Sequence, residues 1–401
     1  MLILYSPVPP GNTGTAAYLA ALLSRLPERI GEISARQSIL IAVDTLSTPL
    51  IDIPLVFDGW NLTDYRLVNR QAGDVCVYFL ASNQYHAYIY EALASHTAGT
   101  CVSVLHDVGA GFFLRELARR PGSAYAGLLG AAFRSTHQFG DTLARDYDHI
   151  EPTATYFIDG QGVTIERSNL IIMHSYYGRS RLIFGHPDAG LAAKIIVCRH
   201  PRPLLRSSPA ERSVPQTSHD LITIGSYGYF AVMKRLDSLV AAWSTFIRSY
   251  DGPLRPRLRI GGNISPEEQS RLLAGCDEAA QLTIAFLGFL DEEQLHREIG
   301  SVDLLVALRF PSYGETSGIA AHAHEFDTPL AISDFAAFRE EDAAFRISVD
   351  PEEEQDDLVG AFRAAADAKQ MGRPIRNTAP VTGPVVKPDL ADVLARLGER
   401  G

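Results

Sequence analysis

Short, almost wholly apolar runs alternate with amphipathic stretches along nearly all of this chain, and that alternation restricts the folds open to it. The runs Leu2–Ser6, Ile39–Val43, Val75–Leu80, Cys101–His106, Leu170–His174 and Ile195–Cys198 read as strands. A second set follows at Leu221–Gly225, Arg257–Ile260, Leu282–Leu287, Val302–Leu308, Leu330–Ser333 and Phe345–Val349. Helical spacing lies between them, for example at Thr15–Leu26, His86–Ser95, Lys234–Tyr250, Pro266–Cys276 and Glu292–Ile299. Strands that are apolar on both faces belong to parallel sheets covered by helices on both sides. The expected class is therefore α/β.

The alternation pauses once. Residues 199–220 are rich in Pro, Arg and Ser and show no periodicity, so they read as a linker. The expected organisation is a first Rossmann-like domain over 1–200, a linker at 201–220, a second over 221–375, and a tail at 376–401. Leu390, Val393, Leu394 and Leu397 give the tail a helical stripe that can pack back on the first domain. Two doubly wound domains facing one another make a central cleft at their strand C-termini, where such sheets bind ligands.

Composition excludes several classes. A net charge of −11 argues against non-specific nucleic-acid binding. Arg202, Arg206 and Arg212 are read as solvated linker charges. No apolar run approaches the roughly 20 residues needed to span a bilayer. The start, Met-Leu-Ile-Leu-Tyr, reads as a first strand rather than a secretory leader, so a cytoplasmic location is expected. The four cysteines have no metal-ligand spacing and read as free thiols in a reducing compartment.

The richest motif is Leu308-Arg309-Phe310-Pro311-Ser312-Tyr313-Gly314-Glu315-Thr316-Ser317-Gly318. It joins an apolar strand to a helix expected from about Thr316 to Glu325. Unpaired N–H groups and the helix dipole favour a phosphate there, and Glu315 can accept sugar hydroxyls. Ordinary helix capping would use the same residue types. The first strand feeds a comparable turn, Gly11-Asn12-Thr13-Gly14, ahead of a helix, although its glycine spacing is not that of a dinucleotide fingerprint.

His106-Asp107 and His174-Ser175 close two successive strands of the first half and should sit at one sheet edge. Lys234-Arg235 is a basic pair at an expected helix start, where the dipole opposes cations unless an anion is near. Arg309 adds a further charge. His322 and His324 share a helix but point to different sides, and no ligand pair has metal spacing, so no metal site is expected.

Taken in order, these motifs resemble the large retaining glycosyltransferase family of GT-B fold that includes sucrose synthase and many bacterial mannosyl- and glucosyltransferases. The markers are Pro9-Pro10 with Gly14–Tyr18, His86–Tyr90, Val104–Asp107 and His174-Ser175. Lys234–Asp237, Gly288–Leu295, Arg309–Ser312 leading into Gly314–Gly318, Thr328–Asp334 and Phe338–Glu340 follow.

The resemblance implies roles. Lys234, helped by Arg235 or Arg309 and by the N–H groups of Thr316-Ser317-Gly318, would hold the donor diphosphate. Glu315 would match the first glutamate of the family's paired-glutamate motif, which binds donor sugar hydroxyls. His106 would sit beneath the donor sugar, Gly14 would approach the diphosphate or the acceptor, and Phe289 and Leu290 would border the base. Asp107, His174 and Thr13 would face the acceptor or the cleft, with the first domain binding mainly the acceptor and the second mainly the nucleotide sugar. The second motif glutamate, which in the family holds the ribose, falls at Ala323, and the arginine that usually precedes Lys234 appears as Tyr229.

The expected activity is metal-independent, retaining transfer from a UDP- or GDP-linked sugar to a small-molecule or glycan acceptor, without a further cofactor. The attacked atom is oxygen, nitrogen or sulfur. The alternative is an inactive or repurposed GT-B protein: a pseudo-glycosyltransferase, an epimerase or a nucleotide-sugar-binding scaffold. An NAD dehydrogenase is a distant third.

Overall fold

The computed structural model describes residues 1–8, 14–49, 53, 57–134, 140–146, 149, 158–187, 190–201, 220–380 and 387–399. Thr13 and the linker arginines Arg202, Arg206 and Arg212 lie outside these residues. The chain divides into two compact units. The first comprises Met1–Leu204, the short segment Tyr313–Thr316 and Val386–Gly401; the second comprises Leu205–Ser312 and Ser317–Val385.

The first unit carries a seven-stranded parallel sheet: β1 Leu2–Tyr5, β2 Ile39–Val43, β3 Asn61–Asp64, β4 Val75–Leu80, β5 Thr100–Leu105, β6 Leu170–Met173 and β7 Ile195–Val197. The strand order is β3-β2-β1-β4-β5-β6-β7. β3 is absent from the sequence reading for a physical reason. Asn61, Leu62 and Thr63 lie at a sheet edge and stay partly exposed, so the strand carries no apolar run.

The second unit has six parallel strands: β8 Leu221–Tyr227, β9 Arg255–Gly261, β10 Ile284–Gly288, β11 Leu304–Ala307, β12 Leu330–Ser333 and β13 Phe345–Ile347. Their order, β10-β9-β8-β11-β12-β13, is the Rossmann order 3-2-1-4-5-6. The first unit has the same order with one strand added. In each sheet the direction of winding reverses beside the first strand, β1 or β8, and loops diverge there to leave room for a ligand.

Helices bury apolar faces on both sides of each sheet. In the second unit the helix Leu236–Ser249 packs on Pro351–Gln370, with Trp243 and Phe246 ring centroids 5.5 and 5.7 Å from Phe362. Beyond residue 375 the chain stays with this unit. The Asn377 amide accepts from Leu330 N at 2.8 Å and donates to Thr328 O at 2.9 Å, and Thr378 bridges to Ala343. The last helix, Leu390–Gly398, joins the first unit. Its Leu390, Ala391 and Leu394 share a core with Tyr18 and Leu22, and Asp392 pairs with Arg29 at 2.5 Å. No helix among the described residues is long and apolar enough to cross a membrane.

Candidate functional site

In the first unit, β5 delivers His106 and Asp107 at its C-terminal end. His106 lies against the edge of the Tyr18 ring, centroids 4.5 Å apart, with His174 at 6.0 Å and His86 at 6.3 Å. The hydrogen bonds fix the tautomers of two of these rings. His174 Nδ1 must donate to the Cys198 carbonyl (3.1 Å), so Nε2 accepts from the Tyr18 hydroxyl (2.9 Å). His86 Nδ1 donates to Phe79 O (2.7 Å), so Nε2 accepts from Thr15 Oγ1 (2.8 Å). Both rings are neutral. Burial pushes His86 down to about 4. Burial, then the neighbouring His200, pushes His174 to about 3.

His174 is therefore a buried brace for Tyr18, 3% exposed, and not the cleft-facing ligand expected from its strand-end position. Both of its ring nitrogens are committed within the protein. His106 differs: it is only half-buried, and its Nε2, shielded from solvent, has no hydrogen-bond partner among the described residues. Burial, reinforced by the three nearby histidines, lowers it well below the usual histidine range. It is a neutral imidazole whose Nε2 is uncommitted among the described residues.

Asp107 is raised to about 7, first by burial and also by the Glu315 carboxylate, against the opposing pull of Ser82 hydrogen bonds. Its surroundings suit a protonated acid. Ser82 Oγ lies 2.7 Å from both Asp107 Oδ1 and the Gly109 carbonyl, and the single hydroxyl proton cannot satisfy both. A proton on Asp107 resolves this, since Asp107 then donates to Ser82 and Ser82 donates to Gly109. Ser82, one residue beyond Ala81 after β4, was not singled out in the sequence because a lone serine after a strand has no pattern of its own.

The segment Tyr313–Thr316 belongs to this unit through main-chain bonds. Val108 N donates to Tyr313 O at 2.8 Å, and Ser175 Oγ to Gly314 O at 3.3 Å. Gly314 has φ +91°, which favours glycine, and Tyr313 N donates to Glu315 Oε2 at 2.7 Å. Glu315 is thus close enough to raise Asp107.

The second unit builds a different surface. β8 runs into Gly228, φ +119°, whose N–H donates to Gly261 O at 2.9 Å. A Cβ on Gly228 would come within 2.9 Å of Lys234 Nζ and 3.4 Å of Ile319. The Lys234 ammonium therefore lies over bare backbone, next to the first turn of the helix Gly318–Glu325, and 5.8 Å from the Phe230 ring centroid. Phe310 N donates to Met233 O at 2.8 Å, joining the loop after β11 to the turn that carries Lys234. Arg309 sits in the same loop, its N–H on Ser333 Oγ at 2.8 Å.

The helix starts two residues later than its sequence suggests. Ser317 is the N-cap, its hydroxyl accepting from Ala320 N at 3.2 Å, so Thr316 precedes the helix. Open space lies where Gly318 would carry a side chain. Leu290 lies beside Gly261, so close that a Cβ there would collide with it. Gly14 begins the first helix, Gly14–Ile30.

Arg235, expected to help Lys234 hold the diphosphate, is engaged within the second unit. It caps the helix Leu236–Ser249 in a left-handed conformation (φ 54°), and its guanidinium grips Glu354 through Nε (2.9 Å) and a second, shorter contact. Glu354 is 1% exposed, and this buried carboxylate takes up the charge. Ala323 is fully buried, and His322 and His324 diverge, to His296 (3.2 Å) and Glu341 (3.3 Å) respectively. No group of three or more His, Cys, Asp or Glu side chains is placed to hold a metal among the described residues.

No protein-family model matches this chain, and no curated protein matches it in sequence. Solved structures match it in fold. Sucrose-phosphate synthase from Thermosynechococcus elongatus superposes with a TM-score of 0.56 at 14% identity, covering 100% of this chain and 93% of its own. The Anabaena protein HepE, solved with UDP-glucose, gives 0.55 at 12% identity, covering 100% and 98%. A glycosyltransferase from Rickettsia africae gives 0.52 at 11%, covering 93% and 94%. At such identities the likeness establishes the fold, two Rossmann-like units of the GT-B class.

Proposed function

We propose that this chain is a retaining, metal-independent glycosyltransferase that uses a UDP- or GDP-linked sugar. The observation that carries this reading is Lys234 Nζ over the bare Gly228 backbone, beside the first turn of Gly318–Glu325. An ammonium and helix N–H groups around an open spot suit a diphosphate. The fold likeness to HepE, itself solved with UDP-glucose, supports the same reading.

In this mechanism the C1–O bond to the diphosphate breaks as the acceptor's nucleophilic atom bonds to C1 on the same face. The acceptor's proton passes to the departing phosphate oxygen, and no protein nucleophile is used. Lys234 stabilises the charge that builds on the leaving group, the kind of preorganised electrostatic term that dominates many enzymes. His106, neutral and with Nε2 uncommitted, contacts the sugar, and Glu315 accepts from its hydroxyls.

Lys234→Ala should keep the fold and lower release of nucleoside diphosphate from the cognate sugar nucleotide by about 10²–10³. Normal turnover in the folded variant would end this assignment. A second reading, a nucleotide-sugar-binding protein without transfer, has Ala323 in its favour, at the place of a carboxylate that the resemblance associates with ribose. That reading expects tight donor binding with no diphosphate release under any acceptor.

A further inference from the structure

Ser82 and Asp107 form a latch between the loop after β4 and the loop after β5. Ser82 N donates to Asp107 Oδ2 at 3.1 Å, and the Ser82 hydroxyl lies 2.7 Å from both Asp107 Oδ1 and the Gly109 carbonyl. With a proton on Oδ1, all three contacts are hydrogen bonds: the acid donates to Ser82 Oγ, and Ser82 Oγ donates to Gly109 O. Without it, one hydroxyl proton faces two acceptors. A carboxylate is the stronger acceptor, so the hydroxyl turns to Asp107 and Gly109 O loses its donor. Asp107 keeps partial contact with solvent, through which its proton can exchange.

The other side of the loop does not depend on this proton. Gln161 Nε2 donates to Val108 O at 3.0 Å, and Ala110 N donates to Asp159 O at 2.7 Å. Asp159 is itself held by His186 Nε2, 3.0 Å from Oδ1 and 3.1 Å from Oδ2, and by Gln161 N at 2.8 Å. Val108 and Ala110 are thus anchored from one side, and the Gly109 carbonyl between them is held from the other by Ser82.

Gly109 is tied to Tyr313. Val108 N and Gly109 N both donate to Tyr313 O, at 2.8 and 3.3 Å. The Tyr313 ring covers Gly109 so closely that a Cβ there would collide with it. Tyr313 N in turn donates to Glu315 Oε2 at 2.7 Å. A continuous path of contacts therefore runs from the Asp107 proton to the orientation of the Glu315 carboxylate.

Three ionisable groups face Asp107. Glu315 does so from the Tyr313–Thr316 segment, Arg181 from the helix Tyr176–Gly185, and the neutral Tyr90 phenol from the helix Ala87–Ala94. Burial and Glu315 favour the acid, Ser82 and Arg181 favour the carboxylate, and burial prevails.

We infer that Asp107 is a positioning residue: its proton keeps the Ser82–Gly109 latch closed, and loss of that proton loosens Gly109 and Tyr313 and leaves Glu315 unaligned for the donor sugar. The inference rests on the glycosyltransferase reading for the role of Glu315; the latch itself rests on the hydrogen bonds. Donor use should then fall as pH rises through the titration of Asp107, at about 7.

Two measurements on the full chain test this, with Asp107→Asn as the mimic of the protonated form. The asparagine amide can donate to Ser82 Oγ while its oxygen accepts from Ser82 N. The folded parent retains a proton that the unfolded chain has released, so this group costs the parent stability as pH rises from about 4 to 7, and the variant is spared that loss. The melting temperature of the variant relative to the parent, read by Trp60 emission in a Trp243→Phe background, should therefore climb over that interval. Release of nucleoside diphosphate from UDP-glucose or GDP-mannose should fall about tenfold per pH unit above the titration in the parent, and this limb should be absent from Asp107→Asn. Ser82→Ala opens the latch at every pH and should lower release by about 10–10²-fold.

A relative melting temperature that does not climb would mean an ordinary carboxylate at Asp107 and would overturn the inference. A climb without any alkaline limb in the parent, or with a limb that persists in Asp107→Asn, would overturn it as well. A parent that releases no diphosphate from either donor at any pH defeats the transferase reading instead, and the latch then stands or falls on the melting comparison.

Discussion

Arg235→Ala tests whether the charge beside Lys234 serves the fold. Arg235 and Glu354 lie 119 positions apart and form a two-point ion pair between the start of Leu236–Ser249 and the first turn of Pro351–Gln370. The carboxylate is 1% exposed and the guanidinium side chain 24% exposed. Removing the arginine leaves a buried carboxylate with no counter-charge, a change that costs about 3–5 kcal/mol in well-packed sites. Replacing the acid by an apolar residue strands no buried carboxylate, so Arg235→Ala combined with Glu354→Met should recover most of the loss.

Urea unfolding followed by tryptophan fluorescence reads this locally. The two tryptophans, Trp60 and Trp243, lie one in each unit, so a Trp60→Phe background reports the second unit through fully buried Trp243. The expected order is parent, then the double variant, with Arg235→Ala about 3–5 kcal/mol below the parent. An Arg235→Ala loss under about 1 kcal/mol, or a double variant no better than the single, would refute the reasoning.

Acid should unfold the first unit by linkage. His86, His106 and His174 have lowered folded values, so below about pH 6.5 the unfolded chain binds protons that the folded one refuses, and stability falls as pH falls. Asp107, raised to about 7, acts in the opposite sense with one proton over the same window. The lowered histidines outnumber the one raised carboxylate, so the net slope is a loss of stability as pH falls from about 6 to 4. Melting curves read by Trp60 in a Trp243→Phe background should show this slope, and a flat profile would contradict the neutral, buried assignment. Gly262→Ala should cost about 1–3 kcal/mol, since a Cβ there runs into the Gly228 carbonyl oxygen and the Phe230 ring. The same variant should weaken UDP-glucose or GDP-mannose binding by calorimetry, and unchanged affinity would detach the Gly228 turn from the donor.

Much of the fold is legible locally. Ile39–Val43, Val75–Leu80 and Leu330–Ser333 are strands at the bounds their apolar runs suggest, because interior strands of a parallel sheet are apolar on both faces. The edge strand β3 escapes that rule because half of its environment is water. The helix expected at Thr316 begins at Gly318, because the Ser317 hydroxyl, rather than the first small residue, takes the cap. The strand-end histidines look alike in the sequence, yet the fold makes one a brace and leaves the other with a nitrogen to spare.

The linear chain alone determined the alternation of strand and helix, the two Rossmann-like units and the loop residues that reach their strand ends, since each follows from side-chain periodicity and turn chemistry over a few residues. Tertiary structure decided which charges are spent and which are available. Arg235 meets a glutamate on a distant helix, His174 is consumed by Tyr18, and Asp44 is aimed by Arg66, 22 positions away. Partners so far apart in the chain leave no periodic trace, because a hydrogen bond depends on distance in space and not on spacing along the backbone.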